Sequence, residues 1–321
     1  MGRRAVSAVA FVAVASLAAV AGCGGDGTAS RPAAPRTSAG QPPATVAVRH
    51  SPTDAGPQGR VPQFLVQCGF SHAAADDPIV HPGMHGMTGM AGMPGGHAAH
   101  GGSHLHVFFG NTGTDADSTA ASLGRGDTTC DQRRDRAAYW APALFDRGRA
   151  VTPTKAVAYY RPGVGVDPAS VKPYPFGLKM LGGDQIATRP QPIGVVAWSC
   201  GVGSVRTSTP PDCPPDRPLR LAVSFPDCWD GEHLDSPDHL AHVARSRDGR
   251  CPESHPVAIP QLLLTITFPV TGPGHDLALA SGSVLTAHAD FFNAWDPEKL
   301  RTEVTACLHR GITCGVASTR S

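Results

Sequence analysis

Proline and glycine interrupt this chain at short intervals, with 31 prolines and 37 glycines among 321 residues. Proline lacks a backbone donor and glycine loses much conformational entropy in a regular element, so long helices are disfavoured. Runs of strand length and strand composition lie between these breaks, at residues 156–160, 193–198, 219–225 and 262–268. The pattern predicts a mainly β fold, a single disulfide-stapled sandwich or jelly-roll-like domain with short helices.

One helix is well marked near the C-terminus. Asp296 can serve as its N-cap and Pro297 as its first residue, and Gly311 can end it. The apolar residues that would share one face of this helix are Leu300, Val304, Cys307 and Leu308.

Eight cysteines follow Cys23, and they form no Cys-x-x-Cys pair. They are Cys68, Cys130, Cys200, Cys213, Cys228, Cys251, Cys307 and Cys314. An even set in an oxidising compartment predicts up to four disulfides rather than a zinc–thiolate site. Proximity favours Cys200 with Cys213 and Cys307 with Cys314, whereas the other pairings stay open.

The N-terminus has the pattern of a bacterial lipoprotein signal. Arg3 and Arg4 precede a short apolar run that ends in Val-Ala-Gly-Cys at residues 20–23. Residues 1–22 are therefore predicted to be a signal peptide and Cys23 to carry the lipid, which anchors the protein to the extracellular face of the cell membrane. The alternative is an ordinary secretory signal that happens to contain a cysteine.

The rest of the chain divides into a tether and a domain. Residues 23–62 are rich in Gly, Pro, Ser, Thr and Ala, which predicts a disordered tether, and residues 63–321 predict one extracellular domain. The net charge is +1 and there is no basic run, so no nucleic-acid partner is expected.

A Met/His-rich segment lies inside the domain at residues 81–101. It contains Met84, His85, Met87, Met90, Met93, His97 and His100, together with His81. Thioethers suit Cu(I), and imidazoles suit Cu(II) or Zn(II). The segment is either a metal-binding loop or a low-complexity insertion without function.

Three short motifs are candidates for a second, ordered metal site. His104 and His106 would lie on one face of a strand, His239 and His242 on one side of a helical turn, and His288 and Asp290 again on one strand face. Together they predict a shared zinc or copper pocket, with Asn111 and Asp238 orienting the imidazoles. The alternative is three separate structural motifs.

Residues 106–111 and 288–293 share a pattern, a histidine followed by two phenylalanines and an asparagine. The shared pattern predicts that each phenylalanine pair sends one ring into the core and leaves its histidine and asparagine at a common rim.

Nine ordered blocks carry a resemblance to a known family. They are residues 68–72, 76–80, 103–111, 128–130, 139–144, 225–231, 234–239, 251–256 and 290–295. They resemble an uncharacterised family of secreted actinobacterial and filamentous-fungal proteins, a domain of unknown function that in fungi is often joined to a WSC carbohydrate-binding domain. The resemblance covers residues 63–314 and implies no activity. Val107 stands where many relatives have an acid, and residues 81–101 resemble an expanded connection.

Three functional hypotheses remain. The first is a surface lipoprotein with a divalent-metal site, extending to a metal-dependent enzyme that acts on cell-wall or other polysaccharide. The second is a carbohydrate or cell-wall binding module that uses Trp140, Trp229 and Trp295 as stacking platforms. The third is a copper-scavenging lipoprotein that uses the Met/His-rich segment. Serine-hydrolase, P-loop and dinucleotide motifs are not found in the sequence.

Overall fold

The computed structural model describes residues 61–79 and 104–315. The predicted signal peptide, Cys23, the tether up to residue 60 and the Met/His-rich residues 81–101 lie outside the described residues. The strands are β1 Gln63–Ala74, β2 His106–Gly110, β3 Ala138–Pro142, β4 Leu144–Asp146, β5 Arg149–Val151, β6 Lys155–Arg161, β7 Lys179–Gly183, β8 Val196–Cys200, β9 Leu219–Ser224, β10 Cys228–Trp229, β11 Val243–Ala244, β12 Val257–Ala258, β13 Gln261–Thr267, β14 Leu277–Leu279, β15 His288–Phe292 and β16 Thr313–Cys314. The helices are α1 Ala120–Arg125 and α2 Pro297–Glu303. The mainly β class is confirmed.

Most strands belong to one large sheet in the order β7-β15-β3-β2-β1-β6-β13-β9-β8, with β16 beside β1. β1 is long enough to serve both halves, since its first half pairs with β6 and its second half pairs with β2 across an irregularity. A Cβ on Gly182 of β7 would touch Val223 and Phe225, so the sheet nearly closes on itself. Two three-stranded sheets, β11-β10-β12 and β14-β4-β5, complete the β structure.

The half of the sheet formed by β2, β3, β15 and β7 has two different faces, because side chains alternate along each strand. Phe109, Tyr139 and Phe291 point into the main hydrophobic core. Phe108, Trp140 and Phe292 point the other way, into a smaller apolar cluster that includes Ile79. We call this second side the outer face. The prediction that each phenylalanine pair sends one ring into the main core is confirmed. The predicted common rim is wrong, because each histidine begins its strand, each asparagine follows the strand's other end, and all four side chains are buried.

All eight described cysteines are paired, as Cys68–Cys130, Cys200–Cys213, Cys228–Cys251 and Cys307–Cys314. The two pairs that proximity favoured are confirmed. The C-terminal helix is confirmed as well, with Asp296 Oδ1 accepting a hydrogen bond from Lys299 N–H at 2.9 Å. After α2 the chain continues as a π-helical turn, Val304–Leu308. Among the described residues, no helix is both long and apolar enough to cross a membrane.

Candidate metal centre

Three imidazoles meet at one end of the outer face. One ring nitrogen from each of His104, His106 and His288 lies within 4.8 Å of the others. The ring centroids of His104 and His106 are 4.2 Å apart, and those of His104 and His288 are 5.2 Å apart. Tetrahedral Zn(II) with ligands at 2.0 to 2.1 Å holds its nitrogens about 3.3 Å apart, so small side-chain movements would close this group around an ion.

The sheet brings these histidines together from distant parts of the chain. His106 begins β2 and His288 begins β15, and β3 pairs with both strands. Both strands run antiparallel to β3, so their first residues lie at the same end of the sheet. His104 stands two residues before His106 and points to the same side, as expected for extended chain.

A hydrogen bond fixes the tautomer of one of the rings. His288 Nδ1 lies 2.8 Å from the carbonyl oxygen of Thr286, which can only accept, so Nδ1 carries the hydrogen. In His288, Nε2 therefore carries the lone pair that a metal ion needs. His106 Nδ1 lies 3.2 Å from Asp77 Oδ2, within ion-pair distance.

Burial keeps all three rings neutral at neutral pH. His106 and His288 are fully buried. Burial lowers the pKa of His288 to about 4, although the hydrogen bond to Thr286 opposes this shift. Burial also lowers the pKa of His106 and of the largely buried His104, with further lowering from neighbouring histidines. Neutral imidazole is the form that binds metal ions.

Two acids lie beside the imidazoles. Asp77 contacts His106, and Asp290 lies two residues after His288 on the same face of β15. Burial, followed by the nearby charge of Asp77, raises the pKa of Asp290 well above its usual range. A divalent cation bound beside Asp290 would favour its ionised form and would offset the charge of Asp77 as well.

The predicted pair His239 and His242 does not join this group. Asp235 Oδ1 lies 2.6 Å from His239 Nδ1, and His242 uses Nδ1 with Ser236 Oγ and Nε2 with the carbonyl of Lys179, both at 2.8 Å. The i, i+3 argument assumed a helical turn, but His239 has φ +55° in a tight turn. His242 is a structural residue that ties this turn to β7.

The predicted orienting residues are also replaced by others. Asn111 caps a loop at the far end of β2, where its Nδ2 donates to Leu123 and Arg136 carbonyls at 2.9 Å. Asp238 Oδ1 accepts from Ser236 Oγ at 2.8 Å and belongs to the turn around His239. Asp77 and the Thr286 carbonyl take their place. Asp77 was visible in the block at residues 76–80, whereas a backbone carbonyl leaves no mark in a sequence.

The tryptophans do not form an exposed platform. Trp140 and Trp295 are fully buried in the two apolar clusters. Trp229 is only partly buried, and its Nε1 donates to the carbonyl of His233 at 2.6 Å. Stacking of a sugar on Trp140 or Trp295 would require the fold to open.

A nearly closed, disulfide-stapled β domain with a buried imidazole cluster on its outer face is thus the class of protein that the fold and the site define. The family model described as a domain of unknown function, DUF1996, matches residues 77–295. The chain belongs to this family, which confirms the predicted resemblance. No curated protein and no solved structure matches the chain significantly.

Proposed function

We propose that this protein binds a divalent metal ion, zinc or copper, through His104, His106 and His288. The observation that carries the proposal is the convergence of three ring nitrogens within 4.8 Å on one face of the sheet. Three imidazoles with an adjacent carboxylate suit Zn(II) or Cu(II). Asp77 acts on the metal through His106, in the way that carboxylates orient metal-bound histidines.

Metal content and affinity test the proposal directly. Protein purified without a histidine tag and treated with chelator is titrated with ZnSO₄ or CuSO₄ by calorimetry, and we expect one tight equivalent at the cluster. His288→Ala should abolish that equivalent, and Asp77→Asn should weaken it by about 10- to 100-fold. The matched control is His233→Ala, which removes an exposed imidazole paired with Asp230 and should leave the titration unchanged.

One outcome would contradict metal binding at the three histidines. Equal titrations for the unaltered protein and for His288→Ala, with circular dichroism showing both folded, would assign any bound metal to other residues.

Copper is favoured over zinc by the place where the Met/His-rich segment joins the domain. Ile79 packs in the outer-face cluster, and His104 belongs to the imidazole group. The described residues on either side of this segment therefore lie on the outer face, and the methionines and histidines in its sequence are ligand types that copper prefers. Deleting residues 81–101 should lower the number of copper equivalents while the equivalent lost in His288→Ala remains. Among the described residues we find no feature that favours a polysaccharide as substrate, so our proposal is limited to metal binding.

The location at the membrane rests on Cys23. The residues before it fill each position of a lipoprotein processing site. Cys23→Ser should shift the protein from the membrane fraction to the soluble exported fraction, measured by immunoblot. Ser16→Ala, in the same signal sequence, serves as the control and should stay with the membrane. A Cys23→Ser protein that remains membrane-bound would contradict lipid anchoring.

A further inference from the structure

An open cleft of about 470 Å³ lies along β7. Its lining includes Leu181, Gly183, Asp184, Thr188, Arg189 and Gln191 from β7 and the loop after it, together with Pro226, Leu240 and Arg245. None of these residues is a proposed metal ligand.

The cleft adjoins the proposed metal centre. Gly183, which lines the cleft, pairs with His288 across the sheet, and Leu181 pairs with Asp290. Gly183 has φ +86°, and a Cβ there would lie 2.7 Å from the Ala287 oxygen and 2.9 Å from the His288 Cα. The backbones of β7 and β15 thus approach closely at this point. The cleft lies along β7, and His288 lies on the adjacent strand β15.

Two cations and one acid set the charge of the cleft. The cations are Arg189, which is exposed, and Arg245, whose guanidinium donates to the carbonyls of Ser224 and Phe225. These two contacts hold Arg245 in place, and guanidinium has five donors in total. The acid, Asp184, is turned to its own loop, since its Oδ1 accepts from Ile186 N–H at 2.9 Å. The charge balance therefore favours an anion.

The rest of the lining is apolar. Leu181, Val195 and Leu240 contribute aliphatic surface, and Pro190, Pro192 and Pro226 contribute rigid walls. Small-molecule sites combine such walls with a few placed polar groups that orient the ligand. An organic body attached to a carboxylate fits this mixture better than a bare inorganic ion.

We propose that this cleft is a binding site for a small organic carboxylate, with Arg189 and Arg245 holding the carboxylate and the proline-rich walls holding the apolar body. The site goes beyond metal binding and does not depend on it.

Benzoate is a suitable probe, and benzyl alcohol is its uncharged counterpart. Calorimetric or NMR titration of the full chain should show binding of benzoate and at least about tenfold weaker binding of benzyl alcohol, as expected when a charge-assisted hydrogen bond is lost. Arg189→Gln should weaken benzoate by a similar factor, and Thr188→Trp should block the cleft by filling it. Both positions are exposed, so neither change threatens the fold. Arg149→Gln, an exposed arginine on β5, is the matched control and should bind as the unaltered protein does.

The titration is repeated on chelator-treated protein to separate the two proposals. Unchanged benzoate binding supports the cleft whether or not the centre binds metal. Binding that disappears with the metal would mean that benzoate is a ligand of the ion, which overturns the cleft site and leaves the metal proposal intact. Equal affinities for benzoate and benzyl alcohol, or no effect of Arg189→Gln, would also overturn it.

Discussion

Asp135 is a fully buried acid that packs beside the main core and has no part in the metal centre. Tyr139 Oη donates to its Oδ2 at 2.6 Å, and Ala137 N–H donates to its Oδ1 at 3.1 Å. Tyr139 also shares a hydrogen bond with Tyr160 Oη, which accepts from Trp295 Nε1 at 3.0 Å. Burial raises the pKa of Asp135 to about 8, against the hydrogen bond from Tyr139, which lowers it.

This raised pKa makes the stability of the domain depend on pH. In the unfolded chain Asp135 ionises near its ordinary value of 3.8, whereas in the folded protein it keeps its proton to about pH 8. The stabilisation from the bound proton is complete below pH 4 and is lost as the pH rises to 8, by up to about 1.4 kcal/mol per pH unit. Asp135→Asn should remove this slope.

Urea unfolding at several pH values between 5 and 8 measures the effect as the difference between the two proteins. The difference isolates Asp135 from every other titrating group. Parallel stability curves for Asp135→Asn and the unaltered protein would show that the acid is already ionised in the folded state.

At the scale of elements, the turn before β15 is held by the loop after β7. Gln191 Nε2 donates to the carbonyls of Leu285 and Ala287 at 2.9 and 2.8 Å. These two carbonyls flank Thr286, whose own carbonyl orients His288. One side chain therefore braces the backbone that sets the direction of a proposed metal ligand.

Gln191→Leu should lower both stability and metal affinity. The change leaves carbonyls without their donor, which costs about 1 to 3 kcal/mol where they are buried. Gln191→Glu should behave similarly, because a carboxylate cannot donate to a carbonyl. Calorimetric titration with ZnSO₄ together with urea unfolding separates the two effects. A loss of stability with unchanged zinc affinity would show that the turn does not position His288.

Composition and alternation predicted most of the strands. They were less accurate where a turn sets the position at which a strand begins. The runs at 156–160, 219–225 and 262–268 became β6, β9 and β13 with ends shifted by a residue or two. The run at 193–198 starts as a turn, because Val195 and Val196 N–H both donate to the Pro192 carbonyl, so β8 begins only at Val196. β7 was not predicted, because glycine is unfavourable in a strand. Its glycines allow close approach, of Gly182 to Val223 and Phe225 and of Gly183 to the backbone of β15.

In the candidate metal centre, too, local patterns predicted some residues correctly and others wrongly. His104, His106 and His288 were predicted because side-chain alternation on a strand is a local rule. His239 and His242 were included because spacing alone cannot tell a helical turn from a tight turn with a left-handed residue. The contacts of Asp77 depend on the path of the chain after β1, which no local pattern encodes.

At the scale of the whole molecule, four disulfides staple the domain over very different lengths. Cys68–Cys130 closes a separation of 62 residues, and Cys307–Cys314 closes one of 7. All four cysteines of these two bridges are buried, so replacing either pair by alanine removes buried sulfur atoms to a similar extent.

Removing the longer bridge should cost more stability. Chain-entropy arithmetic gives about 4 kcal/mol for the 62-residue loop and about 2 kcal/mol for the 7-residue loop. Urea unfolding of the double variants Cys68→Ala/Cys130→Ala and Cys307→Ala/Cys314→Ala compares them, and each pair is the control for the other. A larger loss for the shorter bridge would show that native packing outweighs chain entropy here.

The position of β15 in the sheet also has a consequence for the order in which the molecule can be completed during synthesis. Its neighbours β3 and β7 both precede it in the chain, and so do all the cysteines of the disulfides Cys68–Cys130, Cys200–Cys213 and Cys228–Cys251. Until β15 arrives, β3 and β7 each present an unpaired edge, the kind of surface that invites wrong pairing. His104 and His106 are thus delivered early and His288 late, so a nascent chain cannot assemble the three-histidine group until its final strands have been translated.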